Sequence, residues 1–223
     1  MNNSIPPDTV VTGQQIGLLG GPLYTTFKVL GAVYHAREIG GRPVYWLETN
    51  DADFKEINHI DYLDASGQLQ RLEWDIPSGG YSCGYIEIDN SLVQLIETFF
   101  DTIRQTEFTP ILKSIALESY VPGRSLGEAS VTLATRLFGD FDDLRFFNPH
   151  EKEFRDFSQY ILQAEAERTP PGEQCNCFCM IGKQRKALFT GFVEGKGGKF
   201  QLRDGTPVDI YSNPLVPNVR TRS

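Results

Sequence analysis

Apolar positions change period along this chain, and each period predicts an element. Thr9-Val-Val-Thr-Gly-Gln-Gln15 is a short β-type run, after which Leu23, Phe27, Leu30 and Tyr34 recur at helical spacing. Pro22 fits the first helical position, where its missing N–H is no loss, and Gly40-Gly41 closes the helix. Val44-Tyr-Trp-Leu47 reads as a buried strand, and Asp53 with Glu56 as a capping-box variant opening a short helix. Ile60 to Leu72 reads as a hairpin turning at Ser66-Gly67. The order is strand, glycine turn, helix, strand, acidic turn. A right-handed βαβ crossover brings both turns to one edge of a parallel sheet, the carboxyl edge where open α/β sheets take their ligands.

After Pro77-Ser-Gly-Gly-Tyr81, a helix is predicted from Ser91 to Ile103 with Leu92, Leu95, Ile96, Phe99 and Ile103 on its apolar face. A second covers Ile111 to Tyr120 and stops at Pro122-Gly123; the capping box Ser125-Leu-Gly-Glu128 opens a third. A strand at Leu144–Asn148 and a helix at Glu151–Glu167 lead back to the sheet. Past Thr169-Pro-Pro-Gly172, strands at Gln174–Leu188, Thr190–Gly195 and Lys199–Arg203 form a β-rich excursion. The expected organisation is a first half of an α/β core at 1–75, a helical insertion at 76–124 and a continuation of the core at 125–169. A small β-rich insertion at 170–212 and a truncated return to the core at 213–223 complete it.

The 223 residues suffice for one large domain, or for a domain with a substantial insertion. Their formal charge of −8 should repel phosphate polymers, so no nucleic-acid partner is expected. The basic group Lys183, Arg185, Lys186, Lys196, Lys199 and Arg203 reads as the solvated face of the β-unit. No apolar run approaches the length of a membrane helix, and Met1–Asp8 lacks the regions of a secretory signal. The expected location is therefore cytoplasmic, with no membrane partner and with reduced cysteines. A strand would put Cys175, Cys177 and Cys179 on one face. A closed zinc site needs four ligands in coordinated pairs; only the distant Cys83 remains, so no metal is expected and the three read as small buried residues.

The chemistry concentrates in the two turns. A helix N-terminus attracts phosphate or carboxylate, and Gly13, Gly17, Gly20 and Gly21 permit close backbone approach. Gln14 and Gln15 add side-chain donors, while Tyr24, Thr25 and Lys28 line the same mouth. The spacing matches neither G-x-G-x-x-G nor a P-loop, and a tight structural turn is the alternative. The second turn supplies Glu48, Asn50, Asp51 and Asp53. Asp51 suits an amine, a sugar hydroxyl or a magnesium-bound phosphate; Asp53 is either a ligand contact or a helix cap. His59 is either a base or a structural histidine.

These residues resemble the bacillithiol biosynthesis cysteine-adding enzymes, the BshC family. The resemblance rests on Thr12-Gly-Gln-Gln15, on Gly21-Pro-Leu-Tyr-Thr25 with Lys28, and on Trp46 followed by the acidic turn ending Asp53-Phe54 and by Glu56-Ile-Asn-His59. Ser125-Leu-Gly-Glu-Ala129, Arg136-Leu-Phe-Gly139, Phe147-Asn-Pro149 and Pro217-Asn-Val219 match more loosely. The resemblance implies a Rossmann-like parallel-sheet core, related to class I aminoacyl-tRNA synthetases and interrupted by helical and β-rich insertions. It also implies a later half that completes the core and adds a dimerising coiled coil absent from this sequence. The implied activity joins cysteine to glucosaminyl-malate through an amide, with those two small molecules as partners.

Carried over, Thr12, Gly13, Gln14, Gln15, Gly21, Tyr24, Thr25, Lys28 and Asn50 bind substrate, while Asp51, Asp53 and His59 act catalytically. Two departures stand out: the family's Glu-Asp-His-Asp-Phe turn is Asn50-Asp-Ala-Asp-Phe54 here. Ala52 removes a proton carrier, and Asn50 removes a charge while keeping hydrogen-bonding capacity. Amide formation in water needs an activated carboxyl, so an activating nucleotide is the physical expectation, although no complete site for one is visible. Coverage is less than half of a family member, so the expected protein is a truncated ligase. A magnesium-dependent nucleotidyl or phosphoryl transferase and a non-catalytic ligand-binding remnant are the alternatives.

Overall fold

The computed structural model describes residues 8–151, 160–162, 164–165, 167–191 and 199–208, together with the backbone of 215–217. They fall into two compact units, Met1–Gly79 with Cys83–Asn148, and Gly80–Ser82 with Pro149–Ser223.

The first unit is built on a parallel sheet of β1 (Thr9–Gln15), β2 (Arg42–Glu48) and β5 (Arg145–Phe147), in the order β1-β2-β5. Its register runs from Thr9 opposite Arg42 to Gln15 opposite Glu48, and from Val44 opposite Arg145 to Trp46 opposite Phe147. Parallel neighbours need crossover connections. Helix α1 (Tyr24–Ile39) makes the first, and the long excursion through α5 (Leu126–Phe138) makes the second.

Helix α1 packs in an unexpected orientation. Its buried side chains are Thr25, Val29, Ala32, Val33 and Ala36, a helical stripe of small residues that lets the helix lie close on the sheet. The Leu23, Phe27 and Tyr34 stripe that predicts the helix is 72%, 65% and 64% exposed. The periodicity identifies the element and points to the wrong face. The helix also starts at Tyr24 rather than at Pro22, whose carbonyl accepts the Thr25 N–H at 2.8 Å. It ends as expected at Gly40, which takes the left-handed conformation at φ 68° that glycine adopts without strain.

Between β2 and α5 lie α2 (Phe54–Ile57), the hairpin of β3 (His59–Leu63) and β4 (Leu69–Glu73), α3 (Asn90–Thr102) and α4 (Thr109–Ser119). The hairpin turns at Gly67, φ 81°, with the Asp64 carboxylate accepting from Ser66 and Gln68 N–H. Hydrogen bonds from Ser66, Gln68 and Gln70 hold its pKa down to about 2. Asp89 caps α3 and Ser125 caps α5; the latter is a full capping box with Glu128. The core gathers the inward side chains of all these elements. Tyr45 of β2 meets Phe138 of α5 edge-on, ring centroids 6.2 Å apart, and burial pushes its hydroxyl up to about 12.

The second unit carries a five-stranded sheet ordered β10-β6-β7-β8-β9. Its strands are β6 (Gln174–Ile181), β7 (Gln184–Gly191), β8 (Lys199–Gln201), β9 (Pro207–Val208) and β10 (Leu215–Pro217). The single strand expected at Gln174–Leu188 is a hairpin, reversed at Gly182 with φ 61°. A two-residue turn breaks an alternating pattern too briefly to be read from periodicity. Cys175, Cys177 and Cys179 are buried against Leu162, Leu188 and Phe200, and their thiols are free. Of the helix expected at Glu151–Glu167, residues 152–159 lie outside the described residues, while 160–162, 164–165 and 167–168 are helical. Of 213–223, only Leu215–Pro217 is described, pairing antiparallel with β6.

Candidate functional site

Strand β1 ends on two glutamines, and alternation sends their side chains to different neighbours. Gln15 Nε2 donates to Asp51 Oδ2 at 2.7 Å and to Glu56 Oε2 at 2.5 Å. The acidic turn is held from below by backbone: Cys83 N–H donates to the Asp51 carbonyl at 2.6 Å, and Gly84 N–H to the Thr49 carbonyl at 2.7 Å. Asp51 Oδ1 also accepts the Ala52 N–H at 2.8 Å. Thr49 Oγ1 donates to Asn148 Oδ1 at 2.7 Å, which gives Asn148 a structural part in this turn. Asn50 is 3% exposed, and its Nδ2 has no hydrogen-bond partner among the described residues.

A second cluster forms where β1 meets α1. The Lys28 ammonium donates to the Gly13 carbonyl at 2.5 Å and to Gln14 Oε1 at 3.1 Å, and lies 5.2 Å from the Tyr24 ring centroid. The Tyr24 hydroxyl donates to the same Gln14 oxygen at 2.9 Å. With its carbonyl engaged twice, Gln14 keeps its NH2 group for another acceptor. A half-buried cation beside amide donors is suited to carboxylate or phosphate.

The glycine loop does not cradle an anion in the expected way. Its N–H groups serve the loop: Gly17 donates to Gln15, Gly20 to Gly17, and Gly21 to Leu18, at 2.9, 3.1 and 2.9 Å. The Leu19 N–H donates to the Tyr120 hydroxyl at 2.8 Å. Gly20 and Gly21 have φ of 92° and 74°, and a Cβ on Gly17 would lie 2.8 Å from the Gly21 Cα. The glycines therefore build a tight turn, and anion-binding capacity falls to Lys28, Tyr24 and Gln14.

Thr12 sits half-buried in β1 opposite Tyr45. Asp53 is exposed at the N-terminus of α2 and makes no capping bond, so the Asp53–Glu56 box does not form. Its would-be partner, Glu56, turns to Gln15 instead. The contact of Glu56 with Gln15 is thus hidden in the sequence by the residue's resemblance to a cap; its spacing in Asp53-Phe-Lys-Glu56 fits both partners. His59 opens β3 with Nδ1 3.2 Å from Asn58 Oδ1. Together with Gln15, Gly21, Thr25 and Glu56, it lines a cavity of about 660 Å³. Geometry therefore joins Gln15, Asp51 and Glu56 in one group and Gly13, Gln14, Tyr24 and Lys28 in another. Thr12 and Asp53 make no side-chain hydrogen bond to either.

A parallel β1-α1-β2 unit with polar turns at its carboxyl edge defines a Rossmann-like domain. Residues 7–176 match the family described as bacillithiol biosynthesis BshC, N-terminal Rossmann-like domain, and the chain belongs to that family. Among its relatives, the protein named "Putative cysteine ligase BshC" of Chloroherpeton thalassium is 30% identical over 175 residues, 74% of this chain and 31% of that protein. A relative of the same name in Chlorobaculum tepidum is 31% identical over 172 residues, 72% and 30% of the two chains. In Desulforamulus reducens the figures are 30% over 207 residues, 87% and 36%. The chain thus spans about a third of the length of these curated relatives. Among the described residues, no helix is long and apolar enough to cross a membrane.

Proposed function

We propose that this chain is the N-terminal, Rossmann-like part of a cysteine ligase of bacillithiol biosynthesis, acting in the cytoplasm on cysteine and glucosaminyl-malate. The reading is supported by the relatives' names and, above all, by the contact between Gln15 and Asp51 at the carboxyl edge of the sheet. In the reaction, the sugar amine attacks a cysteine carboxyl activated by a nucleotide or another activated donor. A C–N bond forms, the leaving group departs with one carboxyl oxygen, and the amine gives up a proton.

The two clusters divide this work. Lys28, Tyr24 and the Gln14 amide hold anionic groups, for which the malate carboxylates are the natural candidates. Asp51, oriented by Gln15 and the Ala52 N–H, positions the amine, with Asn50 as a buried donor beside it. His59 faces the neighbouring cavity, and Asp53 offers an exposed carboxylate at the rim. Turnover is assigned to the whole family polypeptide, of which this chain matches about a third.

The test is made in a full-length relative. Replacing the counterpart of Asp51 by Asn keeps the size and one of the two accepted hydrogen bonds but removes the charge; ligation should fall at least a hundredfold, with the fold intact by circular dichroism. Unchanged turnover removes Asp51 from the site. Nucleotide binding that requires magnesium and is lost with Asp51 would support the transferase alternative instead.

A further inference from the structure

Asp51, Asp53, Glu56 and His59 can each take up a proton, and their hydrogen bonds set them apart. Asp51 accepts on both oxygens, from Gln15 Nε2 at 2.7 Å and from the Ala52 N–H at 2.8 Å. A carboxylate held in this way is fixed in place and suited to orienting a cation. Asp53 is exposed and makes no capping bond. His59 has Nδ1 3.2 Å from Asn58 Oδ1, a bond that ties it to its own strand rather than to Asp51.

Glu56 is joined to Asp51 and keeps capacity to spare. Its Oε2 accepts from the same Gln15 nitrogen at 2.5 Å, and that NH2 group has one hydrogen for each carboxylate. The two acids therefore converge on one point, so a group oriented by Asp51 lies close to Glu56 as well. Among the described residues, the Gln15 bond is the single hydrogen bond of the Glu56 carboxylate, which leaves most of its lone-pair sites available. Glu56 is also exposed, and it borders the cavity of about 660 Å³, as Asp51 does not. A proton taken up there has a path to water.

We propose that Glu56 is a catalytic base of the ligation, taking the proton that the sugar amine gives up while Asp51 holds that amine. The inference rests on the ligase reading. The amine lone pair closes the C–N bond, and the leaving group departs with the electron pair of its C–O bond. The N–H bond breaks with its electrons left on nitrogen, and the proton forms an O–H bond at Glu56 before passing to solvent. The attacking nitrogen turns positive as the C–N bond forms, and two carboxylates at one point favour that charge.

The test uses a full-length relative with glutamate at this position, assayed in excess extract of a strain deleted for its gene, which supplies the donor that activates cysteine. Glu56→Gln should lower kcat about a hundredfold and leave KM for glucosaminyl-malate within about twofold of the parent's. The fall of kcat on the acid side of the parent's pH profile should disappear with it. Glu56→Asp keeps a carboxylate one methylene shorter and should recover at least about tenfold over Glu56→Gln, with the acid-side fall restored. A kcat within about threefold of the parent's, an acid-side fall kept by Glu56→Gln, or a loss confined to KM overturns the base assignment and leaves the ligase reading standing. A parent that forms no amide under these conditions overturns both.

Discussion

Gln15 Nε2 lies 2.7 Å from Asp51 Oδ2, joining the end of the first strand to the turn after the second across 36 positions of sequence. The same nitrogen reaches Glu56 at 2.5 Å, so one neutral amide keeps two carboxylates in company. Gln15→Glu tests this relationship. It replaces the shared donor with a third negative charge, and like charges at such range raise one another's pKa. A carboxyl whose folded pKa is raised costs stability once pH exceeds its unfolded value. The variant's Tm should match the parent's near pH 4 and fall progressively below it between pH 5 and pH 8. A constant difference across that range would mean that the three side chains do not interact.

Tyr120 acts on the same region from a distance of 101 positions, its hydroxyl accepting the Leu19 N–H at 2.8 Å. The side chain is fully buried and burial raises its pKa, so it stays protonated across the physiological range. Tyr120→Phe leaves a loop N–H without its acceptor, at a cost of about 1–3 kcal/mol. Urea unfolding should show that loss, and hydrogen exchange should show faster exchange of the Leu19 amide. A change below ~0.5 kcal/mol would indicate that the loop does not depend on the tie.

Much of this arrangement is legible in the sequence, for local reasons. The strand–glycine turn–helix–strand–acidic turn order places both turns at one edge because parallel pairing leaves little choice, and the capping box at Ser125 is a contact between near neighbours. What escapes is decided by tertiary competition. Glu56 has two partners within reach, and sequence spacing favours Asp53 while the folded sheet presents Gln15. The glycine loop carries the composition of an anion cradle, but its amides are consumed by Gln15, Gly17 and Leu18 carbonyls and by a tyrosine a hundred positions away. Thr25 looks like one more polar residue at a mouth; only the folded structure shows it buried, with a hydroxyl that has no hydrogen-bond partner among the described residues.

Acid should act in part through the helix caps. Asp89 is held below the usual carboxylate range chiefly by the Ser91 hydroxyl, and Glu128 chiefly by the Ser125 N–H. Both folded pKa values lie below the unfolded ones, so their stabilisation is present above the ordinary carboxylate range and lost as pH falls through the folded values. Tm should therefore drop below about pH 4. Because both side chains are largely exposed, screening keeps each contribution small. In Ser125→Ala the Glu128 share of that drop should shrink, alongside a loss of about 1 kcal/mol at neutral pH. An acid profile identical to the parent's would remove the capping box as its source.

Helix α1 offers the sharpest separation between pattern and packing. The apolar residues that announce it, Leu23, Phe27 and Tyr34, face outward, and the face on the sheet is made of Val29, Ala32, Val33 and Ala36. Amphipathic reasoning from residue size would assign Phe27 to the core and predict a cost of several kcal/mol on truncation, about 3–5 for a buried phenylalanine. The observed burial reverses this order. Phe27→Ala should change the stability of this chain by no more than about 0.5 kcal/mol, whereas Val33→Ala should cost roughly 1–3 kcal/mol through lost burial and a cavity against the sheet. Chemical denaturation of the two variants side by side decides the matter. If Phe27→Ala proves the more damaging, the helix lies with its large residues inward, and the positions of Thr25 and Lys28 at the mouth rotate away with it.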